Sequence, residues 1–174
     1  MLKTCCFTGH RPTELPWGYD SKSPKRKELL KVLEGIVEKA IQEGYNQFIT
    51  GGAQGIDTDA CAVCLKLQKK YPGIIVAVYI PCKDQDAKWS AEAKKRYHAM
   101  LEMVDKVVYV SNEPYDDGCM MDRNITMVDD SQMVIGVWNN AITKGGTVAT
   151  LRYAKEMQKK IRLITVNTKK GGAQ

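Results

Sequence analysis

The sequence has few of the residues that build metal centres. Its 174 residues include only two histidines, His10 and His98, and Cys61-x-x-Cys64 has no second cysteine pair at a matching spacing. A four-ligand zinc site is therefore not expected. Nor is a redox centre. Cys61 begins several residues after Gly55 rather than at a helix N-terminus, and Cys64 falls on an apolar stripe, so both read as core packing. Cys5, Cys6, Cys82 and Cys119 add no repeated spacing, and a chain with its own core needs no disulfide framework. No apolar run approaches the roughly 20 residues that span a bilayer. The opening stretch, Leu2 to Phe7, is too short for the apolar region of a signal peptide. The expectation is a cytoplasmic protein with no membrane partner.

What remains is an ordinary globular mix, 44% hydrophobic and 26% charged, which suits one domain over residues 1–168 and a flexible tail at 169–174. The net charge of +6 admits an anionic partner without requiring one. The lysines and arginines are spread along helical stretches such as Lys25–Lys27 and Lys94–Arg96. That spread reads first as solvated helix faces and second as a nucleic-acid surface.

Short apolar runs alternate with helical patterns. Strands are predicted at Leu2–Thr8, Gln47–Thr50, Ile74–Ile80, Lys106–Val110, Gln132–Trp138 and Arg162–Val166. They are rich in Val and Ile and alternate little, as strands buried on both faces do. Ser23-Pro24 is a cap followed by proline at the first helical position, and Gly44 stops that helix. Ser90 caps another helix. Further helices are predicted after Gly55, over 117–129, and from Gly146 to about Lys159. The alternation predicts an α/β fold: a Rossmann-like three-layer αβα sandwich around a mainly parallel sheet.

In such sheets ligands sit where strand C-termini meet helix N-termini. The unusual residues gather at those junctions: Thr8-Gly9-His10-Arg11, Gly51-Gly52-Ala53-Gln54-Gly55-Ile56-Asp57 and Gly145-Gly146-Thr147. Glycines there let backbone N–H groups approach an anion, and the helix end adds partial positive charge. The alternative is a tight turn with Asp57 as helix cap. The spacing G-G-x-x-G is not the dinucleotide fingerprint, and no Lys-Ser/Thr follows to make a Walker A loop. Arg11 and Arg123 offer planar forks suited to phosphate, or to an ion pair. His10 can donate to a ligand or exchange a proton near neutral pH. Trp17, Tyr19 and Trp89 can stack on a base or cover the core. All three junctions and Arg123 are expected to share one cleft. Arg123→Ala is expected to weaken binding with little loss of stability, and Gly52→Val to abolish binding with the fold intact.

Taken together, these segments resemble the YpsA-like family of the SLOG superfamily over nearly the whole chain. The resemblance is carried by Phe7-Thr8-Gly9-His10-Arg11-Pro12, Ile49–Asp57, the trio Pro81, Gln85 and Trp89, then Arg123-Asn124, Met127–Asp129 with Ser131, and Gly145–Thr147. It implies a pocket for a nucleotide or nucleotide-derived ligand, ADP-ribose-like or NAD-like, with Gln85, Trp89 and Asn124 added to the site. No other cofactor is implied, and a homo-oligomer stays open. Wider relatives include the DNA-processing protein DprA, which leaves single-stranded nucleic acid as an alternative partner, and the LOG phosphoribohydrolases. In the LOG pattern G-G-x-G-T-x-x-E, the position of the glutamate is held here by Thr150. A hydroxyl cannot replace a carboxylate as base, which disfavours LOG-type hydrolysis. A different hydrolase using Asp57 or His10 remains the enzymatic alternative.

Overall fold

The computed structural model describes residues 1–167. Six strands form one sheet: β1 (Thr4–Gly9), β2 (Gln47–Thr50), β3 (Ile75–Ile80), β4 (Lys106–Tyr109), β5 (Met133–Asn139) and β6 (Lys160–Val166). Their order is β4-β3-β2-β1-β5-β6, and every neighbouring pair is parallel. Five α-helices connect them: α1 (Pro24–Gln42), α2 (Ile56–Gln68), α3 (Ala91–Met103), α4 (Cys119–Asp129) and α5 (Gly146–Glu156). The fold is Rossmann-like α/β. The expected tail at 169–174 lies outside the described residues.

From β1 to β4 the chain steps steadily outward in one direction, and α1, α2 and α3 cover one face. It then crosses back beside β1 and proceeds the other way, so α4 and α5 cover the opposite face. Adjacent residues of a strand point to opposite faces. Cys5 accordingly lies in the core beneath α1 and α2, with Leu33, Phe48 and Val78, while Cys6 lies beneath α4 and α5, with Ile49, Val128 and Val134. The reversal of direction falls between β1 and β5, the topological switch point of the sheet.

Local signals account for the helix ends. Ser90 does cap α3, its hydroxyl accepting from the Ala93 amide at 3.2 Å. Ser23 precedes α1 without a side-chain capping bond; Pro24 at the first position leaves one fewer amide to satisfy. Gly44 turns the chain after α1 at φ +91°. Helix α5 ends at Glu156, three residues before its expected limit, because Gln158 takes φ +55° to lead into β6.

Two strands depart from the expectation of burial on both faces. All of β4 is exposed, and β6 alternates between exposed and half-buried residues. They occupy the two edges of the sheet, where helices cover less of them. The six cysteines are free thiols. Cys82 and Cys119, unrelated in sequence, bring their sulfurs to 3.6 Å just beyond β3 and at the start of α4.

Candidate functional site

Because β2, β1 and β5 are neighbours, the loops after them emerge side by side. They enclose a cavity of about 430 Å³ at the switch point. Thr8, Gly9 and Arg11 reach it from the end of β1, and Gln54 and Asp57 from the loop after β2 and the first turn of α2. Arg123 and Asn124 enter from α4, and Gly146 and Thr147 from the start of α5. The structure thus gathers nine of the sequence-derived candidates around one space.

The loop Gly51–Gly55 is fixed by its own chemistry. Gly52 and Gly55 have φ of +69° and +98°, conformations that L side chains rarely adopt. A Cβ at Gly55 would lie 2.5 Å from the His10 carbonyl oxygen, so only glycine lets α2 start against the β1 loop. The Ile56 amide donates to that same carbonyl at 3.2 Å. On the other side, Gly9 has no room for a Cβ because the Ile56 side chain occupies it. Thr50 Oγ1 donates to the Asp57 carbonyl, and Thr58 Oγ1 donates to the Ala53 carbonyl, both at 2.8 Å.

Asp57 and Arg123 complete this frame. The Asp57 carboxylate accepts from the Ala53 amide at 3.3 Å. Arg123 is buried, and its Nη1 donates to the carbonyl of Gly51 and to that of Tyr79 at 3.3 Å. Its Nε donates to Asn124 Oδ1 at 2.8 Å. Burial pushes the Asp57 carboxyl above the usual carboxylate range, although the charges of Arg123 and Arg11 pull it back. Burial likewise pushes Arg123 below its ordinary value, opposed by Asp57. In both groups desolvation outweighs mutual attraction, as is common for buried charges. Arg123 therefore anchors the main chain of the glycine loop as well as facing the cavity. The expectation that its removal would leave stability intact is corrected on this ground.

A second correction concerns Gly52. A Cβ there would point at Val78 Cγ1, 2.8 Å away, and at Tyr97 and Met100, which are core residues. Valine at this position would strain the core rather than fill the cavity, so its damage would not be local.

The loop before α5 is built differently. Gly145 has φ +110° but its Cβ position opens onto empty space. Gly146 has only the Asn124 amide, 3.9 Å away. Thr150, at the position where the LOG pattern carries glutamate, is buried and donates its hydroxyl to the Gly146 carbonyl at 2.7 Å. Among the described residues, neither α2 nor α5 has a side-chain cap. Two helix N-termini, each entered through a glycine, thus face one cavity.

The other candidates lie apart from that space. His10 is buried, with Nδ1 3.2 Å from Glu14 Oε2, and its Nε2 has no hydrogen-bond partner among the described residues. Gly51 faces Arg123 and Asp57. Trp89 and Gly55 line a neighbouring cavity of about 710 Å³, which also contains Trp17, Tyr19 and Tyr97. Gln85 is buried behind it, donating to Tyr97 Oη at 3.1 Å. Sequence reasoning missed Glu14, Thr13 and Met120, which line the first cavity. Glu14 sits on a short 3-10 turn, Pro12–Glu14, and its spacing of four from His10 was the available signal. Among the described residues, no group of three or more His, Cys, Asp or Glu is placed to hold a metal ion, and no helix is long and apolar enough to cross a membrane.

Comparison with known proteins covers most of the chain. The SPbeta prophage-derived protein YoqJ of Bacillus subtilis is 34% identical over 147 residues, covering 78% of this chain and 85% of YoqJ. A UPF0398 protein of Halalkalibacterium halodurans is 28% identical over 170 residues, covering 94% and 88%. Among solved structures, DprA of Streptococcus pneumoniae superimposes with a TM-score of 0.63 at 19% identity, covering 93% of this chain and 50% of that one. DprA of Helicobacter pylori, described for its single-stranded DNA binding mode, gives 0.60 at 19%, covering 92% and 64%. The chain thus spans half to about two thirds of these DprA proteins, and they share its fold. The model of the family YpsA, described as the YspA SLOG family, matches residues 5–169, and the chain belongs to that family.

Proposed function

We infer that the protein binds a nucleotide or nucleotide-derived ligand through its phosphate, in the cavity at the switch point. The observation that carries this reading is the pairing of two helix N-termini without side-chain caps, those of α2 and α5, across one space. The first amides of a helix lack intrahelical partners, and their dipoles favour an anion. Arg11, exposed and lining the same cavity, adds a positive charge. The Gly51–Gly55 frame holds the α2 end in place before any ligand arrives, which lowers the ordering cost of binding. An ADP-ribose-like or NAD-like molecule fits this chemistry and the SLOG membership. Titration calorimetry with ADP and with ADP-ribose tests it: binding that weakens on Arg11→Ala is expected, and absence of binding by either overturns it.

A second reading, single-stranded nucleic acid, draws on the net charge of +6 and on the fold shared with DprA. Phosphate contacts along a strand release counterions, so oligonucleotide affinity would fall steeply with salt. Shallow salt dependence together with tight mononucleotide binding favours the first reading.

A further inference from the structure

The first cavity supplies donors for phosphate, and Phe7, its aromatic lining residue among the described residues, is buried. The neighbouring cavity is richer in aromatic rings. Trp17 and Tyr97 are buried in its wall, Trp89 is half-buried, and Tyr19 stands exposed at its rim after the turn at Gly18. Trp89 and Tyr97 meet edge to face with ring centroids 5.1 Å apart, and the Gln85 bond to Tyr97 Oη fixes that pair from behind. The same cavity carries the Arg26–Asp59 ion pair, with N–O 2.6 Å, in which Asp59 is almost fully buried. Its volume of about 710 Å³ lies in the range of small-molecule sites.

The two cavities are neighbours that share one lining residue. Gln54 lines both, and its side chain makes no hydrogen bond to the described residues. An acyl chain would leave the ion pair facing hydrocarbon, which is costly. A planar, hydrogen-bonding ring satisfies both features, stacking on the aromatic faces while its polar edge meets Arg26, Asp59 or Gln54. We propose that this second cavity is the base subsite of the ligand, joined across Gln54 to the phosphate cavity. The assignment rests on the phosphate reading above and names the part of the ligand that reading leaves open.

The test compares ADP with methyl diphosphate, which keeps the two phosphates and lacks the nucleoside, by titration calorimetry on the full chain. ADP is expected to bind at least tenfold more tightly. Tyr19→Ala, at an exposed rim position that leaves the core untouched, and Trp89→Ala are each expected to weaken ADP roughly tenfold to a hundredfold while methyl diphosphate changes less than twofold. Trp89→Phe, which keeps a stacking face, is expected to recover most of the loss. The proposal is overturned if ADP and methyl diphosphate bind alike, or if the ADP preference survives both alanine variants. If methyl diphosphate and ADP both fail to bind the natural protein, the phosphate reading falls, and the base subsite with it.

Discussion

The two glycine loops face the same cavity but are held in different ways. Gly51–Gly55 is enclosed: the His10 carbonyl blocks a side chain at Gly55, the core blocks one at Gly52, and Arg123 and Asp57 fill the space beside Gly51. Gly145–Thr147 is open: no atom of the described residues lies within 4 Å of a Cβ at Gly145. The difference separates two uses of glycine. In the first loop glycine is required by packing and by backbone conformation together, so the loop is part of the stable frame. In the second, at Gly145, it is required by conformation alone.

Breaking the enclosed loop should cost most. Arg123→Ala leaves the buried Gly51 and Tyr79 carbonyls without their shared donor and removes the stronger of the two positive charges that act on Asp57. A loss of about 3–5 kcal/mol is expected in urea unfolding, and a loss under about 1 kcal/mol would show that the loop stands without it. Gly55→Ala combines an unfavourable φ with a contact to the His10 carbonyl and should lose more than about 2 kcal/mol. At the open loop, Gly145→Ala carries the conformational cost without the contact, so about 1–2 kcal/mol is expected. Equal losses at Gly55 and Gly145 would erase the distinction.

The smallest effect is a pH dependence. Burial holds the Asp57 carboxyl above its unfolded value, so the fold favours the protonated form. That contribution is fully present below the ordinary carboxylate value of about 3.9 and is lost as pH rises through the raised folded value. The natural chain should therefore lose stability relative to Asp57→Asn across that window and run parallel to it above. Unfolding midpoints measured over a pH series check this, and curves parallel throughout would contradict it.

Most of the architecture was legible because it is local. Val- and Ile-rich runs, Ser90, Pro24 and Gly44 each act within a few residues, and together they implied the parallel α/β sheet. The exposure of β4 and β6 was not legible, since an edge is defined by strand order rather than by the strand's own residues. The gathering of Thr8, Arg11, Gln54, Asp57 and Thr147 followed from their shared position at strand ends. The role of Arg123 did not. It depends on α4, which lies within the crossover from β4 to β5, packing against a loop 72 residues earlier in the chain. The direction of the missing Cβ at Gly52 is likewise set by tertiary packing, which no sequence spacing encodes. Gln85 was placed in the site by a family resemblance alone and Trp89 also by its capacity to stack on a base, and the structure sets both apart from the first cavity.

If the α2 and α5 N-termini together bind one anion, their amides must respond to it as one site. Amide chemical shifts of the isotopically labelled protein, titrated with methyl diphosphate, test it directly. The amides of Asp57, Thr58, Gly146 and Thr147 should move together, with one saturation curve, while those of the edge strands β4 and β6 stay fixed. Shifts confined to one of the two helix ends, or none at either, would contradict it.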